Sequence, residues 1–423
     1  MENITSKFQN LYRLPWSLPD NPISWLEPTS VCNLACEGCY RGNEPDSHKT
    51  LSEIDREVQI FKKLRNTDGI SIAGGEPLLH PNIEEIVHLI SEAGLKPIIN
   101  TNGIALTKEL LKSLKKAGVC GFTIHIDSKQ GRPGWKDKNE LELNELRLKY
   151  AEMLAEEGGI FCAFNSTVYE DTLPYANGMI EWAGKHIDIV QLMVFILYRA
   201  AIPDLSFDWY IGGEKIALDC LKYAGRDGEK IDLKSTELLS VIQEKFPEFT
   251  PCAFLNGTEK PDSYKWLLTA RMGFRDRILG YPGPKHMEII QSIHHLVKGH
   301  YLAYCKPLYS QMGRSMLIFS FLDPRIRTIA VRYLKSLFTK PTRLFKKIYY
   351  QSIMIIQPVD FLPSGAQNMC DSCPDMTVWK DQLVWSCRLE ELKTFGCWVR
   401  SIPKSMKSEV VEPQNQTMGM KRA

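Results

Sequence analysis

The 423-residue sequence predicts an α/β protein whose first half is an open barrel of parallel strands. Short apolar runs alternate with amphipathic helical segments about six times between residues 22 and 205, and polar motifs follow the strands rather than precede them. Such alternation indicates parallel strands joined by right-handed crossovers. Six units suit a partial (β/α)6 TIM-like barrel better than a closed eightfold one.

The predicted units follow one another with short connections. Strands are predicted at residues 23–29, 69–73, 96–100, 119–127, 160–168 and 187–197. Helices are predicted at 50–65, 81–93, 107–118, 140–157 and 175–184. Thr50 and Glu53 form a capping box at the start of the first helix, and Gly94 and Gly118 end the second and third.

Composition and charge narrow the class of protein. The 52 basic and 50 acidic residues give a net charge of +2, which does not favour nucleic-acid binding. The first ten residues have neither the basic start nor the apolar run of a signal peptide. The longest apolar stretches are far shorter than the roughly 18 residues of a membrane span. We therefore expect a cytoplasmic protein, with peripheral membrane contact as an addition discussed below.

The division of the chain follows changes in composition. We expect a lead-in (1–21), the barrel (22–205) and a variable region that faces substrate or membrane (206–359). A cysteine-rich C-terminal extension (360–402) and a disordered polar tail (403–423) follow.

Three closely spaced cysteines follow the first strand. Cys32, Cys36 and Cys39 have the spacing CxxxCxxC. Three thiolates can bind three irons of a 4Fe–4S cluster and leave the fourth iron open, which is typical of a reactive metal centre. Taken alone, the same spacing would also suit zinc.

A second motif, Gly74-Gly75-Glu76-Pro77, follows the second strand. CxxxCxxC and this motif together resemble the radical S-adenosylmethionine (SAM) superfamily over roughly residues 22–200. The resemblance implies that the open iron binds SAM and that the reduced cluster donates one electron to it. SAM then gives methionine and a 5′-deoxyadenosyl radical, which abstracts hydrogen from a substrate. It also implies a flavodoxin or ferredoxin as electron donor.

The resemblance also assigns polar residues to the SAM pocket. Glu76 would accept a hydrogen bond from the SAM ammonium, and the two glycines would let the backbone approach the ligand. Further members of the implied pocket are Asn102, His125, Asp127, Asn165 and Arg199. One departure concerns the residue before the third cysteine, which is usually aromatic in the family. It is Gly38 here, and Tyr40 follows the cysteine instead.

A second set of cysteines lies near the C-terminus. Cys370, Cys373, Cys387 and Cys397 would complete the coordination of a second 4Fe–4S cluster. The set loosely resembles the auxiliary-cluster modules of radical SAM enzymes. A structural zinc site is the alternative, and Cys305 is a candidate to replace one of the four.

The substrate is the least determined feature. Residues 313–350 combine nine basic residues and one acid with many apolar side chains, which is typical of a membrane surface but also of a basic helical face over a core. Together with the apolar run 353–362, it favours a lipid or other apolar substrate. The extra cysteines alone suggest a peptide-modifying maturase. An iron–sulfur electron carrier or a zinc-structured membrane-docking protein is the non-enzymatic alternative.

Overall fold

A computed structural model describes residues 10–199, 207–218 and 232–404. It confirms the predicted α/β class and the partial barrel. Strands β2 to β7 pair in chain order, and every pair is parallel. These strands are Ile23–Thr29 (β2), Gly69–Gly74 (β3), Lys96–Thr101 (β4), Gly121–His125 (β5), Phe161–Val168 (β6) and Leu192–Leu197 (β7). The helices between them are Leu51–Leu64 (α1), Ile83–Glu92 (α2), Lys108–Ala117 (α3), Asn144–Glu157 (α4) and Ala176–Lys185 (α5).

Local sequence explains why these helices begin and end where they do. Thr50 caps α1 and Glu53 returns the bond, so the predicted capping box is present. The apolar stripe of Ile54, Val58 and Phe61 is fully buried against the sheet. Helix α3 ends at Gly118, whose φ of 106° is a left-handed conformation that glycine adopts without a steric penalty.

The remaining elements surround and extend the barrel. Short strands are Tyr12–Arg13 (β1), Phe207–Ile211 (β8), Glu214–Ile216 (β9), Ala253–Leu255 (β10) and Arg277–Gly280 (β12), and the long ones are Trp266–Phe274 (β11) and Tyr349–Ile356 (β13). Helices are Ser235–Lys245 (α6), Pro284–Lys298 (α7), Pro307–Ser310 (α8), Gly313–Met316 (α9) and Pro324–Thr339 (α10). The C-terminal elements are Asp360–Phe361 (β14), Gln367–Asn368 (β15), Met376–Trp379 (β16), Gln382–Trp385 (β17), Leu389–Phe395 (α11) and Arg400–Pro403 (β18).

The sheet continues past the six predicted units. Strand β13 pairs in parallel with β7, and β11 then pairs antiparallel with β13. Region 206–359 therefore contributes strands to the same sheet as the barrel. Within the described residues the two ends of the sheet, β1 and β2, do not pair, so the barrel is open.

The core lies between this sheet and the helices outside it. Phe122, Phe164 and Phe195 stand on neighbouring strands and are fully buried. Burial of each such ring stabilises the fold by about 1.5–3 kcal/mol. The strands are apolar because helices or the opposite wall of the barrel cover both of their faces.

The cysteine-rich C-terminal segment packs on the barrel rather than apart from it. Arg65, at the end of α1, donates hydrogen bonds to the carbonyl oxygens of Cys373 (2.8 Å) and Pro374 (3.1 Å). Asn21 donates to the Ser372 carbonyl at 2.9 Å. The tail predicted at 403–423 lies outside the described residues beyond Lys404. In the described ranges, no helix is both long and apolar enough to cross a membrane.

Candidate active site

A large cavity opens at the carboxyl ends of the barrel strands, where chemistry is located in barrels of this kind. The space within it, including the open solvent at its mouth, is about 1550 Å³. It is lined by Cys32, Cys36 and Cys39 of the first set and by three of the four C-terminal cysteines, Cys370, Cys373 and Cys387. Residues distant in sequence therefore face one common space.

The loop after β2 holds the first three cysteines. The Arg41 backbone N–H donates to the Cys39 sulfur at 3.4 Å, and the Asn102 amide nitrogen is 4.0 Å from the Cys32 sulfur. Burial raises the pKa of the Cys36 thiol to about 12, with the charge of Asp127 adding to the effect. Metal binding at this position must therefore displace a proton.

Gly74 and Gly75 allow two loops to pack directly on each other. Gly74 has a φ of 102°, and a Cβ there would lie 2.4 Å from the Thr29 carbonyl oxygen. A Cβ on Gly75 would lie 2.3 Å from the Val31 carbonyl oxygen. Side chains at either position would push the cysteine loop away from β3.

Glu76 is buried at the edge of the cavity, and donors from the end of β4 and from its own turn hold it in place. Its carboxylate accepts from Thr101 Oγ1 (2.5 Å), the Asn102 backbone N–H (2.7 Å) and the Leu78 backbone N–H (3.1 Å). A carboxylate has about four acceptor sites, so about one is left for a ligand. Burial raises the pKa of Glu76, while these hydrogen bonds oppose the rise.

His125 and Asp127 form a pair after β5. Asp127 Oδ2 lies 2.9 Å from His125 Nε2, and Thr167 Oγ1 lies 3.1 Å from the same nitrogen. Burial alone would raise the pKa of Asp127. The hydrogen bond and charge of His125, together with two backbone N–H groups, hold it below its usual value. His125 lines the cavity, whereas Asp127 supports it from behind.

Two amide side chains on the cavity wall have buried polar atoms without a partner. Among the described residues, nothing hydrogen-bonds Asn100 Nδ2 or Asn165 Oδ1. Asn165 and Asn102 belong to the pocket implied by the sequence, whereas Asn100 does not. A buried amide without a partner costs free energy, which a polar ligand would recover.

Two predicted residues lie elsewhere. Arg199 forms an ion pair with Asp360 (2.5 Å) and does not line the cavity. Pro77 begins a short 3₁₀ turn, with its ring buried and away from the cavity wall. Their role in binding SAM stays a prediction.

Two tyrosine side chains occupy the space beside Gly38, the position at which the family usually has an aromatic residue. A Cβ on Gly38 would lie 2.7 Å from Tyr169 Oη and 3.2 Å from a ring carbon of Tyr198. The two tyrosine rings pack with their centres 4.8 Å apart, and both line the cavity. They fill the space that a side chain at position 38 would need.

The second cysteine set is only partly assembled. Cys373 hydrogen-bonds Cys370, which lowers the pKa of Cys370 and raises that of Cys373. Cys387 lines the same part of the cavity, whereas Cys397 is exposed and outside it. In the described parts of the chain, no three His, Cys, Asp or Glu side chains converge on a single-ion site.

Cys305 lies away from the second set. It is close to Lys96 and Asp68, at the amino ends of β4 and β3. The cavity is at the opposite ends of these strands. Cys305 therefore does not replace one of the four C-terminal cysteines in this structure.

A buried ion pair that sequence reasoning missed connects the two cysteine sets. The Arg41 guanidinium makes a two-bond ion pair with Glu27 and also donates to the Ser386 carbonyl at 2.6 Å. Glu27 is the one charged residue of β2, and a charge in a buried strand is the sequence signal that could have identified it. Ser386 precedes Cys387, so this arginine fixes one cysteine loop against the other.

The structure is an open parallel barrel with a cysteine loop and a glycine-rich loop at the carboxyl ends of its strands. Residues 26–130 match the sequence profile of the Radical SAM superfamily. The predicted resemblance to the radical SAM superfamily is confirmed over this segment of the chain.

Relatives cover only part of the chain. It is 40% identical over 108 residues to GTP 3′,8-cyclase of Aquifex aeolicus, covering 24% of this chain and 33% of the cyclase. It is 36% identical over 191 residues to AdoMet-dependent heme synthase of Methanosarcina barkeri, covering 44% of this chain and 52% of the synthase. The chain thus spans a third to half of these relatives. Streptococcus suis SuiB bound to S-adenosylmethionine aligns with a TM-score of 0.38 and 14% identity, over 54% of this chain and 47% of SuiB.

Proposed function

We propose that this protein is a radical SAM enzyme that cleaves SAM reductively in the cavity and abstracts hydrogen from an apolar substrate. One observation carries the proposal: both cysteine sets face the cavity that also contains Glu76, His125 and Asn165. When bound, a reduced 4Fe–4S cluster supplies the electron that divides SAM into methionine and a 5′-deoxyadenosyl radical. Cys32, Cys36 and Cys39 would hold this cluster.

The residues of the chain suit such a cluster and SAM. The N–H···S contact at Cys39 is of the kind that stabilises cluster thiolates. The free acceptor site of Glu76 suits an ammonium group, and the unpartnered atoms of Asn100 and Asn165 suit the polar groups of SAM. The glycines at 74 and 75 keep the two loops close enough to share one ligand.

The C-terminal cysteines support a second cluster in the same cavity. Cys370, Cys373 and Cys387 face it, and buried hydrogen bonds from Arg65 and Arg41 hold their loops. We assign these three as ligands and leave Cys397 out, because it lies on the surface. A structural zinc ion would use the same thiols, and metal analysis of the purified protein distinguishes it from iron.

The cavity wall favours an apolar substrate. Aromatic and aliphatic side chains lie between the two cysteine sets, on both the barrel and the C-terminal segment. They include Trp25, Tyr40, Ile196, Trp266, Ile356, Val359, Met369 and Trp385. Such a wall binds an apolar molecule or an apolar part of a larger one. The hydrogen donor would sit between the two metal centres.

The test uses the whole chain, purified and reconstituted without oxygen. Iron and zinc are counted, dithionite or a flavodoxin supplies electrons, and 5′-deoxyadenosine is measured after SAM is added. We expect about eight irons, no zinc and deoxyadenosine formation. About four irons with one zinc would favour a structural C-terminal module.

Glu76→Gln separates an enzyme from an electron carrier. The variant keeps the side-chain shape but loses the charge, so we expect SAM to bind about 10–100-fold more weakly, equivalent to about 1.5–3 kcal/mol. Calorimetric titration of SAM measures it, and iron content is the control. Unchanged iron with no SAM binding by either protein would favour the carrier.

A further inference from the structure

A second region of interest lies at the other end of the barrel. Helix α10 packs against two 3₁₀ turns, Leu317–Phe321 and Pro341–Phe345, and its buried face forms one apolar cluster with Ile348 and Tyr350 at the start of β13. We name the outer face of this unit the 318–346 surface. Its members are Ile318, Phe321, Arg327, Leu334, Lys335, Phe338, Phe345 and Lys346.

Helix α10 has two apolar faces, and only one of them meets the protein. Ile326, Ile329 and Tyr333 are buried against the sheet. Leu334 and Phe338 lie on the opposite side of the helix and are 57% and 88% exposed. They are four positions apart, so they form one stripe along the solvent side. A second apolar stripe on a helix that is already packed needs another explanation than core burial.

The neighbouring turns extend this stripe. Phe321 and Ile318 are each 68% exposed, and Phe345 is 87% exposed. Aromatic rings exposed to this degree protrude from the surface rather than line a groove. A protein partner would need a matching pocket for each ring, whereas a lipid bilayer accepts protruding rings without one.

The charge around the protruding rings is predominantly positive. Residues 313–347 contain nine basic residues and a single acid, Asp323. Asp323 is buried, where it caps α10 through the Arg325 and Ile326 backbone N–H groups. Glu248 and Asp276 pair with Arg332, Lys340 and Arg343. In the part of the chain that the structure describes, Arg327, Lys335 and Lys346 have no carboxylate partner.

We propose that the 318–346 surface docks the protein on an anionic lipid bilayer. Protruding apolar rings would enter the headgroup region, and the unpaired basic side chains would lie at the level of the phosphates. This inference does not depend on SAM chemistry. The surface adjoins Ile348 at the start of β13, whereas Ile356 at the end of the strand lines the cavity. The two residues are eight positions apart, which corresponds to about 26 Å along extended chain.

Because the 318–346 surface is distant from the cavity, membrane docking does not by itself indicate which substrate the cavity binds. A lipid still in the bilayer would have to cross the length of the barrel to reach the cavity. The basic amphipathic stretch therefore supports membrane attachment, and it does not by itself support a lipid substrate. The apolar cavity wall is the independent reason for an apolar substrate.

Vesicle flotation with the full chain tests the proposal. The vesicles are phosphatidylcholine alone, or phosphatidylcholine with about one-third phosphatidylglycerol. We expect binding only to the anionic vesicles, with a loss at high salt. Lys335→Gln with Lys346→Gln should lower the partition coefficient about 30-fold, or roughly fivefold for each charge. Phe338→Ser with Phe345→Ser should lower it about tenfold or more.

Matched controls keep the result specific. Lys112→Gln with Lys116→Gln removes two exposed lysines from α3, and we expect no loss of binding. Cys36→Ala should bind vesicles like the wild type even if SAM cleavage fails. Failure of the docking proposal is thereby distinguished from failure of the proposed enzymatic function. Absence of wild-type binding, or equal loss in the α3 control, would overturn the proposal. A wild-type dimer that Phe338→Ser with Phe345→Ser makes monomeric would also overturn it, since a second copy would then cover the surface.

Discussion

The two cysteine sets face each other across one cavity, yet the chain positions them in different ways. Cys32, Cys36 and Cys39 lie within eight residues of one another, in the single loop between β2 and α1. Cys370, Cys373 and Cys387 span a β-hairpin and reach the cavity because Arg65 and Arg41 hold their loops. The first set depends on local spacing, and the second depends on tertiary contacts. The two sets should therefore fail differently when they are altered.

The largest expected effect is on the first set. Cys36→Ala leaves two thiols in a loop that needs three, so we expect deoxyadenosine formation to fall at least about 1000-fold and iron content by about four atoms. Product assay and iron analysis after anaerobic reconstitution measure both. Retained deoxyadenosine formation would contradict the assignment of this loop.

The next effect concerns the second set. Cys387→Ala should remove about four irons, since it leaves only the Cys370 and Cys373 pair on that side of the cavity. Cys397→Ala is the matched control and should leave the iron content unchanged, because this side chain is on the surface. Iron loss in the Cys397→Ala variant would restore the four-cysteine ligand set predicted from the sequence.

A smaller effect tests the tertiary support of the second set. Arg65→Met leaves the Leu18, Cys373 and Pro374 carbonyls without their buried donor, so we expect about 3 kcal/mol less unfolding free energy. Arg56→Met is the control on the same helix. It removes an exposed ion pair with Asp381 and should cost less than about 1 kcal/mol. Urea unfolding of both apo variants compares them, and equal losses would deny Arg65 this role.

The smallest effect concerns the packing over the first set. Gly38→Ala places a Cβ 2.7 Å from Tyr169 Oη, so we expect it to cost about 1 kcal/mol. Tyr169→Phe removes this oxygen and should make the same alanine nearly neutral. A double-mutant cycle on unfolding free energy measures the coupling. Additive effects would show that the tyrosines do not fill the space above Gly38.

The same contrast explains what the sequence could predict. Thr50, Glu53 and the apolar stripe of α1 act within one helix, so the predicted element matches the observed Leu51–Leu64 closely. The Cys32 loop and Gly74-Gly75-Glu76 follow strands directly, and the rule that loops after parallel strands meet at one end brought them together. These features depend on neighbours in the chain.

Features that depend on distant neighbours escaped prediction. The pairing of β13 with β7 joins Ile356 to Ile196, and neither strand has a residue pattern that specifies its partner. Cys397 has the same residue type as Cys387, and only the folded chain shows that it points away from the cavity. Arg199 follows a barrel strand as a pocket residue would, but in the folded chain it forms an ion pair with Asp360.

The bond between Arg41 and the Ser386 carbonyl also sets a sequence of events during synthesis. The two residues are 345 positions apart. At about 5–20 residues per second, a ribosome needs about 20–70 s to pass from one to the other. Throughout that interval, the first three cysteines are already made while the opposite wall of their cavity does not exist. The complete cavity that the two proposed iron sites share therefore forms only after the ribosome has passed Ser386.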